Sequence, residues 1–334
     1  MIECIFSLDY EIYGNGSGSL RELVFGPAEQ LRRLFLKQNS RFVTFVEAAE
    51  LEMIELKDAD LTIELVKEQI RDLHRLGFEI GLHVHPQWYN GQYQNGSWQL
   101  NQNEYNLCVL PGQRIDDIIR RSLDYLRKIL DEPEFTPVAF RNGNWLFQPT
   151  EHLASVLAAQ KFKLDSSVFK GGIQRLHHLD YRRALKNGYY WRFDGDVNIP
   201  DPQGKLLEIP IYSTMAFPWH MVGKKRLTLQ NKAAARYSIA SKLERVRDYM
   251  RLRQPLKLDF CRLTLAELIR MIQPVIEGDR NDPESFKPIV LIGHTKDLID
   301  LESVDIFIDY LHESGIPISQ FKDVYERCQS NLEN

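Results

Sequence analysis

Short runs of apolar residues alternate along this chain with longer segments in which apolar residues recur every three or four positions. Seven runs have the length and β-branched content of buried strands, namely residues 2–8, 41–46, 78–84, 137–141, 163–168, 206–212 and 288–293. Five segments have the apolar spacing of amphipathic helices, namely residues 27–38, 60–76, 114–130, 149–160 and 263–277. Strand followed by helix, repeated, predicts a parallel α/β architecture, either an incomplete barrel or an open sheet.

Two insertions interrupt this alternation. Residues 86–112 are rich in Asn, Gln, Gly and aromatic residues, and they predict a long loop after the third strand. Aromatic rings stack on sugar faces and amides bond hydroxyl groups, so this composition suits a sugar-binding surface. Aromatic residues that only pack the loop against the protein would give the same composition, and both interpretations stay open.

Residues 223–262 predict a helical insertion that is strongly basic. They contain twelve lysines and arginines against three acids, in a chain whose net charge is −4. Such a segment would make peripheral contact with an anionic membrane surface or bind a phosphate-bearing substrate. A solvated helix that packs against an acidic part of the same protein is the alternative.

Composition excludes several classes of protein. The 334 residues, 43% of them hydrophobic, suffice for a full core, and we expect one domain over residues 1–334. A nearly balanced charge argues against a general nucleic-acid binder. No apolar stretch approaches the roughly 20 residues of a membrane-spanning helix, and no signal-peptide pattern is present, so we expect a cytoplasmic protein. The four cysteines are widely spaced and predict neither a zinc knuckle nor a disulfide framework.

Residues that bind metals or move protons follow three of the predicted strands. His83 and His85 end the third strand two positions apart, so both imidazoles reach one face and one divalent ion. Asp9 and Glu11 have the same spacing after the first strand, and His294 follows the last. Since the carboxyl ends of parallel strands share one rim, this pattern predicts a metal-dependent hydrolase. A His-X-His pair alone would more often be two half-buried histidines bonded to neighbours.

The chemistry assigns roles to these residues. Two imidazoles and one carboxylate, from either Asp9 or Glu11, hold a metal and leave positions open for water, and the other carboxylate then serves as general base. His294 would be the general acid that protonates a departing amine. Arg141 follows the fourth strand and could hold a carboxylate by a two-pronged ion pair. Asp165, on the next strand, could orient Arg141 or tune His294; a structural salt bridge is the alternative for both.

Taken in chain order, five segments resemble the five motifs of the polysaccharide deacetylase family, the NodB-homology carbohydrate esterases of family 4. These segments surround Asp9, His83 with His85, Arg141, Asp165 and His294. Residues 82–88 and 140–145 are similar to runs in the branch associated with bacterial surface-polysaccharide gene clusters. The resemblance implies a distorted (β/α)7 barrel that carries the two insertions. It also implies removal of an acetyl group from an N- or O-acetylated sugar with a divalent metal, most commonly zinc.

Carried over by position, the resemblance makes Asp9 the base, His83 and His85 metal ligands, and His294 the acid. It makes Arg141 and Asp165 a supporting ion pair. The chain departs from the pattern where Tyr10 stands in place of a metal-binding aspartate, which passes that role to Glu11 or Asp9. It departs again where the two histidines are two apart rather than four.

Substrate contacts are expected from four residues close to these motifs. These residues are Tyr10, Trp88, Asn142 and Trp145. The expected partner is a carbohydrate, either free or linked to a lipid or nucleotide. Two other functions fit the sequence: another amidohydrolase-type metal hydrolase, and a non-catalytic carbohydrate-binding protein that has lost the metal, which the Tyr10 departure suggests.

Overall fold

The structure is a computed structural model that describes residues 1–217 and 252–333. Its strands are β1 (Ile2–Tyr10), β2 (Val43–Glu47), β3 (Glu79–Val84), β4 (Gln92–Gln94), β5 (Ser97–Gln99), β6 (Ala139–Asn142), β7 (Leu164–Asp165), β8 (Ile173–Gln174), β9 (Leu179–Asp180), β10 (Trp191–Phe193), β11 (Leu206–Glu208), β12 (Ser213–Ala216), β13 (Gln254–Lys257) and β14 (Lys287–His294). Its α-helices are α1 (Gly26–Lys37), α2 (Ala48–Leu56), α3 (Ile63–Arg75), α4 (Gly112–Leu130), α5 (Glu151–Ala159), α6 (Leu265–Asn281), α7 (Leu301–Glu313) and α8 (Phe321–Glu333).

A curled sheet of eight strands, in the order β10-β11-β7-β6-β3-β2-β1-β14, forms the centre of the protein. Neighbouring strands run parallel except β10, which pairs antiparallel with β11. Just beyond β11, Ile211 forms parallel bridges to both Phe169 and Val290, so the two ends of the sheet meet. The main-chain N–H of Tyr212 donates to the Val290 carbonyl oxygen at 3.0 Å at the same junction. The predicted barrel of seven parallel strands is therefore confirmed, with β10 as an added edge.

The main strands are buried on both faces because helices cover the outside of the barrel. All nine residues of β1 and all eight of β14 are buried. Helix α4 turns its predicted apolar stripe inward, including Ile115, Ile119 and Leu126. Helix α6 begins at a capping box, in which the Thr264 hydroxyl accepts from the Glu267 N–H while the Glu267 carboxylate accepts from the Thr264 N–H.

Helices α2, α7 and α8 lie outside the five segments predicted from the sequence. Six of the nine residues of α2 are buried, including Glu50, so polar and apolar residues are not separated on two faces and there is no amphipathic period to detect. Helix α7 does carry an apolar stripe, with Val304, Phe307, Ile308 and Leu311 buried.

The two predicted insertions compare differently with the structure. Residues 86–112 form short helical turns and the β4–β5 hairpin, where the Trp88 and Trp98 rings pack edge to face with centroids 5.0 Å apart. In the second insertion, residues 223–251 lie outside the described residues. Residues 252–262 contradict the helical prediction, because Gln254–Lys257 forms strand β13 and pairs antiparallel with β12. No helix in the described ranges combines the length and apolar content needed to span a bilayer.

Candidate active site

The sequence-predicted metal and proton-transfer residues meet at the carboxyl ends of neighbouring barrel strands. Asp9 pairs in register with His294 across β1 and β14, and His83 pairs with Arg141 across β3 and β6. Glu11 follows β1 and His85 follows β3. All six residues are buried, so the barrel gathers them into one compact polar cluster.

Glu11, His83 and His85 place one ligand atom each within 4.8 Å of one another. Glu11 Oε2 lies 2.9 Å from His85 Nε2 and 3.7 Å from His83 Nε2. Asp9, Glu11 and His294 form a second group by the same measure, and Glu11 is common to both groups. Glu11 therefore stands at the centre of the cluster.

A main-chain hydrogen bond places a proton on Nδ1 of His83. Its Nδ1 lies 2.8 Å from the carbonyl oxygen of Arg141, which can only accept, so Nδ1 carries the proton. Its Nε2 is buried and has no hydrogen-bond partner within the described residues. Nε2 faces Glu11, and in its deprotonated form its lone pair points where a metal-binding histidine requires it.

The ring of His85 is held from its other side by two amides. Its Nδ1 lies 3.2 Å from Gln87 Nε2 and 3.3 Å from Asn144 Nδ2, while Gln87 Oε1 is buried without a partner. Exchanging the amide oxygen and nitrogen of Gln87 would give that oxygen a bond from a protonated Nδ1. His85 Nε2 would then be free to bind a cation.

A lysine that sequence analysis did not identify neutralises the central carboxylate. Lys296 Nζ donates to Glu11 Oε1 at 2.8 Å and to the Ile12 carbonyl oxygen at 3.0 Å. Burial alone would raise the pKa of Glu11, but Lys296 and the two histidines outweigh burial and hold that pKa well below its usual range. Glu11 is therefore ionised, with Oε1 on Lys296 and Oε2 on the histidines.

Arg141 fills the barrel interior beside this cluster. Its Nη1 donates to Asp9 Oδ1 at 2.7 Å, its Nη2 to Ser7 Oγ at 2.9 Å, and its Nε to the Ser166 carbonyl oxygen at 2.9 Å. The guanidinium also lies 4.1 Å from the ring centroid of Phe45. Acceptors on β1 and directly after β7 hold this rigid guanidinium in place, so Asp9 Oδ1 has a fixed position.

His294 faces the other oxygen of Asp9. Its Nε2 lies 3.4 Å from Asp9 Oδ2 and 3.9 Å from Glu11 Oε1, and its Nδ1 lies 3.7 Å from Asp297 Oδ2. Burial, and then Lys296 and Arg262, hold the pKa of His294 well below its usual value. The imidazole is therefore neutral at neutral pH and stands within reach of a proton on Asp9.

Asp165 does not join this cluster. Arg141 makes its ion pair with Asp9, and the Asp165 carboxylate instead accepts from the N–H and hydroxyl of Ser167, at 2.8 and 2.7 Å. Asp165 pairs in register with Phe140, whose ring packs against Phe147 and Phe162. Because successive strand residues point to opposite faces, Asp165 lies outside the barrel while Ser166 faces Arg141.

Three of the four expected substrate contacts are buried and make their contacts elsewhere. Tyr10 lies on the opposite face of β1 from Asp9 and donates its hydroxyl to Gln69. Trp88 is only 1% exposed and packs under the aromatic loop, and the Asn142 side chain donates to the Leu146 carbonyl oxygen. Trp145 alone reaches the site, with its ring centroid 5.7 Å from that of His294.

Two buried acids behind the cluster were also not identified from the sequence. Glu47 accepts from the main-chain N–H of His85 at 2.6 Å, and Glu50 accepts from that of Ile12 at 2.9 Å. Burial raises the pKa of both carboxyl groups. They fix the main chain beside the ligand atoms. A Glu-X-X-Glu pair at the end of the second strand was the available signal in the sequence.

The residues present fit a divalent cation. A cation among the three ligand atoms would satisfy the buried Nε2 of His83, which nothing else in the described residues does. Two imidazole nitrogens and one carboxylate oxygen are donors that zinc takes, and they leave coordination positions for water or substrate. Glu11 thus supplies the carboxylate ligand. Tyr10, which stands where the family has a metal-binding aspartate, points outward.

Neither the protein-family models nor the curated proteins gave a match to this sequence. Solved structures do match it. A protein described as a polysaccharide deacetylase from Mycobacterium smegmatis has a TM-score of 0.55 at 14% identity, over 99% of this chain and 91% of its own. One so described from Pseudomonas aeruginosa PAO1 has a TM-score of 0.52 at 12% identity, over 97% and 90%. Puue allantoinase has a TM-score of 0.51 at 11% identity, over 97% and 89%.

At identities this low the likeness is one of fold, and an allantoinase shares it. The match nevertheless extends over nearly the whole of this chain and of each deacetylase. It agrees with the strand order and barrel closure described above. The chain has the β/α barrel fold of the polysaccharide deacetylases.

Proposed function

We propose that this protein is a metal-dependent hydrolase that removes an acetyl group from an acetylated sugar. The observation that carries the proposal is the convergence of Glu11, His83 and His85 on one point, directly beside Asp9 and His294. The deacetylase fold supports it, since active residues of β/α barrels lie at the carboxyl ends of the strands.

Glu11, His83 and His85 would hold the cation, for which zinc is the expected identity. When bound, such a cation polarises a carbonyl oxygen and lowers the pKa of a nearby water. Arg141 pins Asp9 Oδ1, so Oδ2 is the oxygen that can accept a proton from the attacking water. His294 Nε2 lies 3.4 Å from that oxygen and can pass a proton to the departing amine.

Metal content and acetate release together test this proposal. The purified protein is loaded with zinc, dialysed, and supplied with N- and O-acetylated sugars, both free and attached to a lipid or nucleotide. We expect about one zinc ion per chain and acetate from at least one N-acetylated sugar. His83→Ala should lose both properties. His152→Ala, an exposed histidine on α5, should keep both.

Three outcomes would contradict the proposal. A protein that retains no metal and releases no acetate is not the proposed enzyme. Sugar binding that survives both chelator and His83→Ala without turnover indicates a non-catalytic binding protein. Hydrolysis of allantoin, included because an allantoinase shares the fold, would assign the site to a different hydrolase.

A further inference from the structure

Lys257 stands at the rim of the cluster, on a segment fixed to the barrel. It is the last residue of β13, and the next residue, Leu258, donates its N–H to the Tyr212 carbonyl oxygen at 2.8 Å. The carbonyl oxygen of Leu258 accepts from the N–H of Ile292 at 2.9 Å. Ile292 lies two residues before His294 on β14. Lys257 is therefore held beside the strand end that carries the predicted acid.

Aromatic rings lie nearest to the ammonium group of Lys257, and no carboxylate of the described residues lies within ion-pairing distance of it. Its Nζ lies 3.0 Å from the ring centroid of Trp145 and 4.6 Å from that of Phe169. Trp145 in turn packs edge to face against His294. The lysine is thus separated from His294 by a single aromatic ring, and it covers one face of the tryptophan that was expected to bind sugar.

The nearby acids are already paired with arginines. Arg262 Nε donates to Asp297 at 2.7 Å and lies 3.6 Å from Asp259, while Arg141 takes Asp9. Among the described residues, Lys257 has neither an ion pair nor a hydrogen bond. Burial, followed by the charge of Arg262, holds its pKa well below the usual value. Burial without a counter-ion disfavours the charged form of the lysine, and an anionic ligand beside it would stabilise that form.

We propose that Lys257 binds a carboxylate or phosphate group of the substrate, next to the sugar unit that loses its acetyl group. This inference rests on the proposed function and narrows its substrate class to acidic sugars and sugar phosphates. The indole N–H of Trp145, buried and without a partner in the described ranges, is a second donor on the ring that Lys257 covers. The site therefore combines one lysine amine, one N–H without a partner in the described ranges and aromatic faces beside His294.

Calorimetric titration tests the inference without requiring turnover. The probes are N-acetylglucosamine, its 1-phosphate and its 6-carboxylate, so the two anions are compared with one neutral sugar. We expect the zinc-loaded protein to bind at least one anion about tenfold more tightly than the neutral sugar. Tighter binding of the phosphate or of the carboxylate then identifies which anionic group of the substrate Lys257 binds.

Variants test whether Lys257 causes the preference for anionic sugars. Lys257→Met should bind the three sugars equally, and Lys257→Arg should retain most of the preference. Lys163→Met, an exposed lysine ahead of β7, should behave as the unaltered protein does. The inference is overturned if the unaltered protein binds no anion more tightly than the neutral sugar, or if Lys257→Met keeps the preference. Acetate release is measured separately, so failure here is distinguishable from failure of the deacetylase proposal.

Discussion

His83 donates its Nδ1 proton to the main-chain carbonyl oxygen of Arg141 at 2.8 Å, across the pair formed by β3 and β6. The side chain of the same arginine pairs with Asp9. Arg141 thus orients one predicted ligand through its main chain and the predicted base through its side chain. Because these two functions use different atoms, substitutions can separate them.

Arg141→Lys should abolish most turnover while leaving the cation site intact. A lysine keeps the charge, but it cannot bond Asp9, Ser7 and Ser166 together. We expect acetate release to fall about 100-fold or more and the free energy of unfolding to fall by about 3 kcal/mol. The main-chain bond to His83 persists, so zinc affinity, measured with a competing chelator, should change by only a few fold. An equal loss of affinity and turnover would contradict this separation.

Lys296→Met should destabilise the metal-free protein and enlarge its response to zinc. The substitution leaves Glu11 ionised and buried without its counter-ion, which costs about 3 kcal/mol. A bound cation would replace the lost charge, so zinc should raise the melting temperature more in the variant than in the unaltered protein. Lys67→Met is the matched control, because Lys67 is equally buried in a pair with Glu55. That control should lose stability without a larger zinc response.

Gly143→Ala should displace His85. An added Cβ would lie 2.5 Å from the Val84 carbonyl oxygen and 2.9 Å from His85 Cγ, so the histidine ring must move. We expect a loss of about 2 kcal/mol in unfolding free energy and at least tenfold weaker zinc binding. Gly278→Ala, where nothing lies within 4 Å of the new Cβ, should leave zinc binding unchanged and stabilise helix α6 by roughly 0.5–1 kcal/mol. Unaltered zinc affinity in Gly143→Ala would show that His85 is not a ligand.

Glu208→Gln should reduce the pH dependence of stability. Burial raises the pKa of Asp165 to about 6, and burial together with Asp165 raises that of Glu208, its register neighbour. The folded state therefore binds these protons more tightly than the unfolded chain, and stability is lost as pH rises from about 4 through 6. Between pH 5 and pH 8 the unaltered protein should lose roughly 1–3 kcal/mol more than the variant.

Urea unfolding at the two pH values measures that difference. Glu284→Gln, an exposed glutamate, should follow the unaltered protein. Equal losses in the unaltered protein and in Glu208→Gln would show that the buried acid pair does not control this pH range.

The sequence predicts the barrel well because the spacing of apolar residues along a strand or helix depends directly on which of its faces are buried. The seven predicted strands and five predicted amphipathic helices each correspond to an observed element, whereas residues 252–262 of the predicted helical insertion do not form a helix. Helix α2, six of whose nine residues are buried, has no period to detect. Residue spacing also anticipates the convergence of Glu11, His83 and His85, since alternate residues of a strand share a face. The same rule, applied to Tyr10 and Asp165, places both on the outer faces of their strands.

Contacts between residues that are distant along the chain cannot be predicted from local spacing. Lys296 meets Glu11 across 285 positions, and nothing local to either residue indicates the pair. The lack of a counter-ion for Lys257 is equally invisible in the sequence, since it depends on which nearby acids the arginines occupy. Spacing identifies which residues share a strand end, and only the folded chain shows which charges remain unbalanced there.

The bond between Leu258 and Tyr212 has an evolutionary consequence. Both residues are tied to β14, so the chain departs from the barrel at Tyr212 and returns at almost the same point. A change in the length of the chain between these two anchors would leave the strand that carries His294 in place. Selection could therefore alter that part of the chain while the proposed hydrolytic centre stays constant.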